Sequence, residues 1–183
     1  MLSIDIRSPG SRSTLQRELR SNTRAALSTI EHRISRFDLT RPEDYGMFLH
    51  VQHAALLGLK GAWPEADHRD FKEMTRRLQA DLHLMGMTMP HIQAPAPVLP
   101  TDADRLGAAY VIRGSRRTAG VLRHRVAPDF ARSYLGFVPT VSWTQFLARL
   151  DASVSNDLAH LAVIRGARAA LQMISHLLAQ ALG

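Results

Sequence analysis

Apolar residues recur at the spacing of an α-helix through almost the whole chain. No stretch alternates apolar and polar residues with the two-residue period of a strand. Serine, threonine or aspartate precedes most of these runs, and glycine or proline follows several of them, as at helix ends. The pattern predicts an all-α fold of about six to eight helices. At 183 residues the chain is expected to form one domain over 1–183, with 1–13 as a flexible N-terminus.

Six helices can be placed from their expected caps and apolar stripes. Thr14 is the expected N-cap of the first helix. Thr40 is the expected N-cap of the second, with Pro42 in its first turn and Glu43 completing a capping box. Gly86 is the expected C-cap of the third helix. The six helices are predicted at about 14–37, 40–61, 67–85, 102–125, 141–150 and 154–182.

Two further features concern the connection between the third and fourth helices and the glycines that follow it. Residues 87–100 are rich in proline, which removes hydrogen-bond donors, so an extended connection is predicted there. The fourth helix contains Gly107, Gly114 and Gly120, each of which costs up to ~1 kcal/mol relative to alanine. Three such residues indicate a bend or the close approach of another backbone.

The charge is strongly positive, with 23 basic and 16 acidic residues, a net charge of +7. Of the basic residues, 21 are arginine and only two, Lys60 and Lys72, are lysine. This balance suggests an anionic partner, although a basic surface without a specific partner explains it equally well. Nucleic acid is disfavoured, because no recognition motif is present and aromatic residues make up only 6% of the chain.

Several other classes are disfavoured. The chain has no cysteine, which excludes disulfide scaffolds and thiolate metal sites. No apolar stretch approaches the ~20 residues of a membrane span, and the first residues do not resemble a signal peptide, so a cytoplasmic protein is expected. Ser115 follows a glycine without the strand of a nucleophile elbow and is expected to be structural. His50 and His53 lack a carboxylate helper, so no metal site is expected.

The most basic segment of the chain is 113–132, where six arginines face a single acid, Asp129. Arginine binds carboxylates and phosphates through two parallel hydrogen bonds, so the segment could form a cradle for an anion. A solvated helix face is the alternative, and the sequence leaves both open. The arginines are Arg113, Arg116, Arg117, Arg123, Arg125 and Arg132.

Six segments along the chain share their order and spacing with one known family. They are LRSNTRAAL at 19–27, FDLTRPEDYGMFL at 37–49, ADLHLMG at 80–86, GAAYVIRGS at 107–115, WTQFL at 143–147 and RGAR at 165–168. Together they resemble the bacterial heme oxygenases found with bacteriophytochromes, over essentially the whole chain. The resemblance implies a heme oxygenase-like helical domain. It also implies an activity that converts heme, which is both cofactor and substrate, to biliverdin, iron and carbon monoxide.

The resemblance places the family's proximal histidine at Leu27, which has no lone pair to offer iron. His32 is no simple substitute, because five residues at ~100° each turn it about 140° away from Leu27 around the helix. The loss of the ligand therefore predicts that heme ligation and catalysis have been lost. An alternative is that His32, His50 or His53 replaces the ligand after a helix shift, in which case heme is bound and degraded.

Basic residues on two helices belong to the implied heme pocket. Arg20 and Arg24 match positions that can meet heme propionates. Arg113 stands where the family has an acid before Gly-Ser, and Arg116 and Arg117 follow it. These three arginines suggest that the excess charge was partly acquired on the old active-site helix, whose surface changed its function.

The remaining pocket positions also depart from the family. Ser115 and Arg117 lie in the segment that resembles the start of the distal helix. Two adjacent glycines of the family align with Thr118 and Ala119, or with the pair one residue later, and side chains there would narrow the pocket. An acidic position of the family's second helix is occupied by Lys60.

The leading hypothesis is therefore a pseudo-heme oxygenase that binds no cofactor and acts as a regulatory, protein-interaction module. The charge and the association with bacteriophytochromes suggest an acidic signalling partner such as a sensor histidine kinase. The space between the first and fourth helices discriminates between the hypotheses. An open cavity lined by Leu27 and Arg24 would favour ligand binding, and a filled one would favour a pure interaction module.

Overall fold

The computed structural model describes residues 13–87 and 92–183, which form six α-helices and two short 3₁₀ turns and contain no strand. The helices are α1 (Thr14–Ile34), α2 (Pro42–Gly58), α3 (His68–Leu84), α4 (Asp102–Arg125), α5 (Trp143–Ala152) and α6 (Asp157–Leu182), with the 3₁₀ turns at Lys60–Ala62 and Glu65–Asp67. The prediction of an all-α fold with six to eight helices is confirmed. Within the described residues, no helix has the length and apolar character needed to cross a membrane.

Residues 92–100, in the segment where an extended connection was predicted, contain no helix or turn. Residues 88–91 lie outside the described residues, as do residues 1–12 of the expected N-terminal segment.

The first two helices begin differently from the prediction. Ser13, rather than Thr14, is the N-cap of α1, and its hydroxyl accepts a hydrogen bond from a first-turn backbone N–H at 3.2 Å. The predicted N-cap at Thr40 is wrong, because the Thr40 hydroxyl donates to the Asp38 carboxylate at 2.6 Å. Arg41 occupies the cap position of α2 without a capping side-chain bond.

The later helix ends follow local signals more closely. Helix α4 occupies the predicted range, and Thr101 and Asp104 form a capping box at its start. Ser142 caps α5, and its hydroxyl accepts a hydrogen bond from the backbone N–H of Gln145 at 3.2 Å. Gly86, with φ of +65°, lies just past the end of α3, which confirms the expected role of a left-handed glycine. Helix α6 begins at Asp157, slightly later than predicted.

Helices α4 and α6 cross with their backbones in contact. A Cβ atom on Gly107 would lie 1.9 Å from the carbonyl oxygen of Val163, and one on Gly166 would lie 1.9 Å from the carbonyl oxygen of Asp104. The predicted close approach is therefore confirmed for Gly107, whereas a Cβ at either of the other two glycines of α4 would meet no backbone. The Asp104 carboxylate also accepts two hydrogen bonds from Arg165 of α6, at 2.8 and 2.9 Å. This crossing fixes the first half of α4 against the core.

Two buried carboxylates on one face of α3 hold the long segment 126–142 that joins α4 to α5. Asp81 accepts hydrogen bonds from the backbone N–H groups of Ser133 and Tyr134 at 3.1 and 2.8 Å, and from the Ser133 hydroxyl at 2.7 Å. Asp70 accepts from the backbone N–H and the hydroxyl of Thr140 at 2.9 and 2.7 Å. The segment is thus anchored at two points.

Candidate functional site

A cavity of about 450 Å³ lies between α1, α2, α4 and α6, and the segment 126–142 closes one side of it. This volume falls within the ~300–1,000 Å³ of typical small-molecule sites. Five of the eight predicted pocket residues line it: Leu27, Ser115, Arg117, Thr118 and Ala119. The space between the first and fourth helices is therefore open.

Two of the α4 residues that line the cavity form side-chain hydrogen bonds within their own helix. The Ser115 hydroxyl donates to the carbonyl of Ile112 at 2.7 Å, which agrees with its predicted structural role. The Thr118 hydroxyl donates to the carbonyl of Ser115 at 3.0 Å, and Ala119 is buried. The side chains of Thr118 and Ala119 line the cavity without closing it.

The described side chains that line the cavity offer no iron ligand of the kind that binds heme in the family that the sequence resembles. Within residues 13–87 and 92–183, no lining side chain is histidine, cysteine or methionine, and Leu27 is apolar. Tyr134, a possible oxygen ligand, donates from its hydroxyl to the Gln52 side chain at 3.1 Å. Burial raises the pKa of Tyr134, so its phenol stays protonated at neutral pH. The other lining tyrosine, Tyr110, packs on Trp143 with 5.2 Å between ring centroids.

Five residues that the sequence suggested for heme binding do not line the cavity. His32 is exposed on α1, and Arg20 and Arg24 are also exposed on that helix. His50 and His53 are buried on α2 and do not line it either. Burial lowers the pKa of His53, which favours its neutral form. Neither the substitute iron ligands nor the expected propionate-binding arginines are brought to the cavity.

Arg113 corrects the interpretation of the basic segment, because it is neither a pocket residue nor a surface residue. Its side chain is 3% exposed, and its guanidinium lies 2.6 Å from the carboxylate of Asp67 and 3.5 Å from that of Asp70. It also donates to the carbonyl of Val141 at 2.9 Å. The second oxygen of Asp67 meets Arg149 at 2.5 Å. These four charged groups form a buried ion network that joins α3, α4 and α5 and keeps each charge compensated.

Arg116 also makes contacts that stabilise the fold. Its guanidinium donates to the carbonyl of Tyr134 at 2.7 Å and stands over the Tyr134 ring, 4.6 Å from the centroid. It therefore holds the segment that closes the cavity, and it also lines the cavity itself. Arg117 alone of these three arginines is exposed, 5.7 Å from the ring centroid of Trp143 at the cavity.

Sequence reasoning missed three polar residues of the cavity. Glu31 lies on α1 and lines the cavity together with Leu27, four residues earlier, so helical spacing from Leu27 could have identified it. Gln52 and Tyr134 meet only through the fold, and no local signal connects them. With Glu31, Arg116 and Arg117 among its lining residues, the cavity carries one negative and two positive charges beside an apolar interior.

No group of three or more His, Cys, Asp or Glu side chains within residues 13–87 and 92–183 could hold a metal ion. The chain matches no model of a known protein family, and no curated protein matches it.

Proposed function

We propose that this chain is a cytoplasmic, non-catalytic protein with a heme oxygenase-like fold that has lost heme ligation. It works as a regulatory module that binds a partner, an acidic bacterial signalling protein such as a sensor histidine kinase. The observation that carries the proposal is the cavity between α1 and α4, where the position resembling the proximal ligand is Leu27. Among the described residues that line it, none is histidine, cysteine or methionine.

Two further observations support the loss of catalysis. The candidate substitute ligands His32, His50 and His53 do not line the cavity. Arg113, at the position of the family's distal acid, is buried in an ion network with Asp67 and supplies no polar group to the cavity. A heme pocket whose lining offers no iron ligand cannot anchor heme by its metal.

The open cavity favours a second candidate function, in which heme enters and is degraded to biliverdin, iron and carbon monoxide. Its size suits a small molecule, and its lining is mostly apolar with a few polar groups. This candidate requires a ligand that a helix shift would have to bring in.

Hemin titration of the purified protein separates the two. We expect no sharp Soret band at stoichiometric hemin and no biliverdin after a reductant is added. The variant Leu27→His should gain a stoichiometric complex with a sharp Soret band, and Leu27→Gln, which is polar but a poor iron ligand, should not.

A sharp Soret band and biliverdin formation in the unaltered protein would overturn the proposal and establish the second candidate. If Leu27→His also fails to bind hemin, the cavity does not admit heme, and the non-catalytic function is supported without any ligand.

A further inference from the structure

A groove of about 1230 Å³ lies on another face of the molecule and shares no lining residue with the cavity at Leu27. Its walls come from the end of α2, from the two 3₁₀ turns, from α3, from the start of α4 and from the end of α5. Because it contains both lysines of the chain, Lys60 and Lys72, we call it the lysine groove. Its volume exceeds the ~300–1,000 Å³ of typical small-molecule sites, which favours an extended ligand.

The lysine groove has apolar surface among its lining residues. The rings of Trp63 and Phe71, which pack with 5.3 Å between their centroids, are buried beneath it. Pro64 and Leu106, which are half-buried, line the groove as well. Leu57, another lining residue, is 50% exposed, so part of this apolar surface is open to solvent. An apolar side chain of a ligand would cover this surface.

The charge left uncompensated in the groove is positive. Its three arginines are each paired with a carboxylate: Arg76 with Glu73 at 2.8 Å, Arg105 with Asp102 at 2.5 Å and Arg149 with Asp67 at 2.5 Å. Lys60 and Lys72 are exposed, and neither is paired with a carboxylate in the described part of the chain. Against them stands one acid, Glu65, for which the described residues provide no cation partner.

We propose that the lysine groove binds an acidic segment of a partner protein. An apolar side chain of the segment packs against Leu57, Pro64 and Leu106, and its carboxylates lie beside Lys60 and Lys72. The charge complementarity selects an acidic protein segment, and the apolar surface selects one that also carries a large apolar residue. The inference rests on the proposed function, because it identifies where the partner of that function is held.

The scarcity of lysine makes the test specific. Protein labelled with ¹⁵N only at lysine gives two backbone amide resonances, both from the groove. The probe is a synthetic peptide of repeated Glu-Glu-Leu units, with Glu-Glu-Ser and Lys-Lys-Leu peptides as controls. We expect both resonances to shift saturably with the first peptide, and much less with either control.

Affinity measured by fluorescence anisotropy then tests the charges. Lys60→Glu combined with Lys72→Glu should weaken binding of the Glu-Glu-Leu peptide about tenfold at ~0.15 M salt. Arg20→Glu combined with Arg24→Glu is the matched control, since it changes the net charge equally on an exposed face of α1 outside the groove. This control should bind nearly as the unaltered protein does.

The inference is overturned if the lysine resonances do not shift, if the two double variants weaken binding equally, or if Glu-Glu-Ser binds as tightly as Glu-Glu-Leu. These readouts involve no heme. Heme turnover with an intact groove response would overturn the proposed function alone, and an unresponsive groove in a protein that binds no heme would overturn this inference alone.

Discussion

Replacing Arg113 with methionine tests the buried ion network that joins α3, α4 and α5. Methionine keeps the long apolar stem against the rings of Trp63 and Phe146, which lie 5.8 and 5.2 Å from the guanidinium carbon. It removes the charge that faces Asp67 and Asp70. Both carboxylates would then remain in the interior with less compensation.

The size of the expected loss of stability depends on the partners that Asp67 and Asp70 keep in the variant. Removing one partner of a buried ion pair costs about 3–5 kcal/mol. Arg149 still meets one oxygen of Asp67, and Thr140 still donates to Asp70, so a loss near the lower end, about 3 kcal/mol, is expected. For a chain of this length each kcal/mol lowers the Tm by about 2–4 °C, so the Tm should fall by roughly 6–12 °C.

Urea unfolding followed by circular dichroism measures this difference, with Arg117→Met as the matched control on the same helix. Arg117 is exposed and has only the Trp143 ring as a described partner, so its loss should cost no more than about 1 kcal/mol. The urea dependence of the free energy should be unchanged in both variants. Equal unfolding midpoints for the two variants would refute the assignment of Arg113 to a buried network.

Two further predictions concern the crossing of α4 and α6. Gly107→Ala should lower the free energy of unfolding by about 1–3 kcal/mol, because its Cβ would meet the backbone of Val163. Gly120→Ala, whose Cβ would meet no neighbouring atom, should raise the free energy of unfolding by up to ~1 kcal/mol. Equal thermal midpoints for the two variants would contradict this. Burial alone would raise the pKa of Asp104, but the hydrogen bonds from Arg165 and from the capping threonine outweigh it and lower that pKa. The folded protein therefore gains stability above the unfolded pKa of about 4 and loses it as the pH falls through the folded value. Arg165→Gln should flatten this acid-side loss in urea midpoints measured against pH, and an unchanged slope would contradict the assignment.

The helix boundaries show where sequence reasoning succeeds. The range of α4 could be predicted because its start depends on Thr101 and Asp104, which are neighbours in sequence. Thr40 looked equally suitable as an N-cap, yet the nearby Asp38 accepts its hydroxyl hydrogen bond. The Thr40 hydroxyl could interact either with the first turn of α2 or with Asp38, and the helix pattern alone does not say which interaction forms.

The candidate site shows where such reasoning stops. Leu27 was predicted to face the space between the first and fourth helices, and it does, because it lies on the apolar stripe of α1. The burial of Arg113 could not be predicted, because its partners Asp67 and Asp70 lie far away along the chain. One sequence feature did indicate buried charges on α3. Asp70 and Asp81 fall on the same face of that helix as the buried Leu78, so their carboxylates are expected to point into the interior.

The position of the two lysines affects how interactions of this protein should be measured. Lys60 and Lys72 carry the only side-chain amines of the chain, and both line one groove. Coupling through side-chain amines to a sensor surface, or modifying them with an amine-reactive dye, would therefore orient the molecule with that groove towards the support or the label. A partner that binds there would be excluded by the attachment itself. Immobilisation through a tag after Gly183 leaves both amines free, and a difference in partner binding between the two attachments would itself report on the groove.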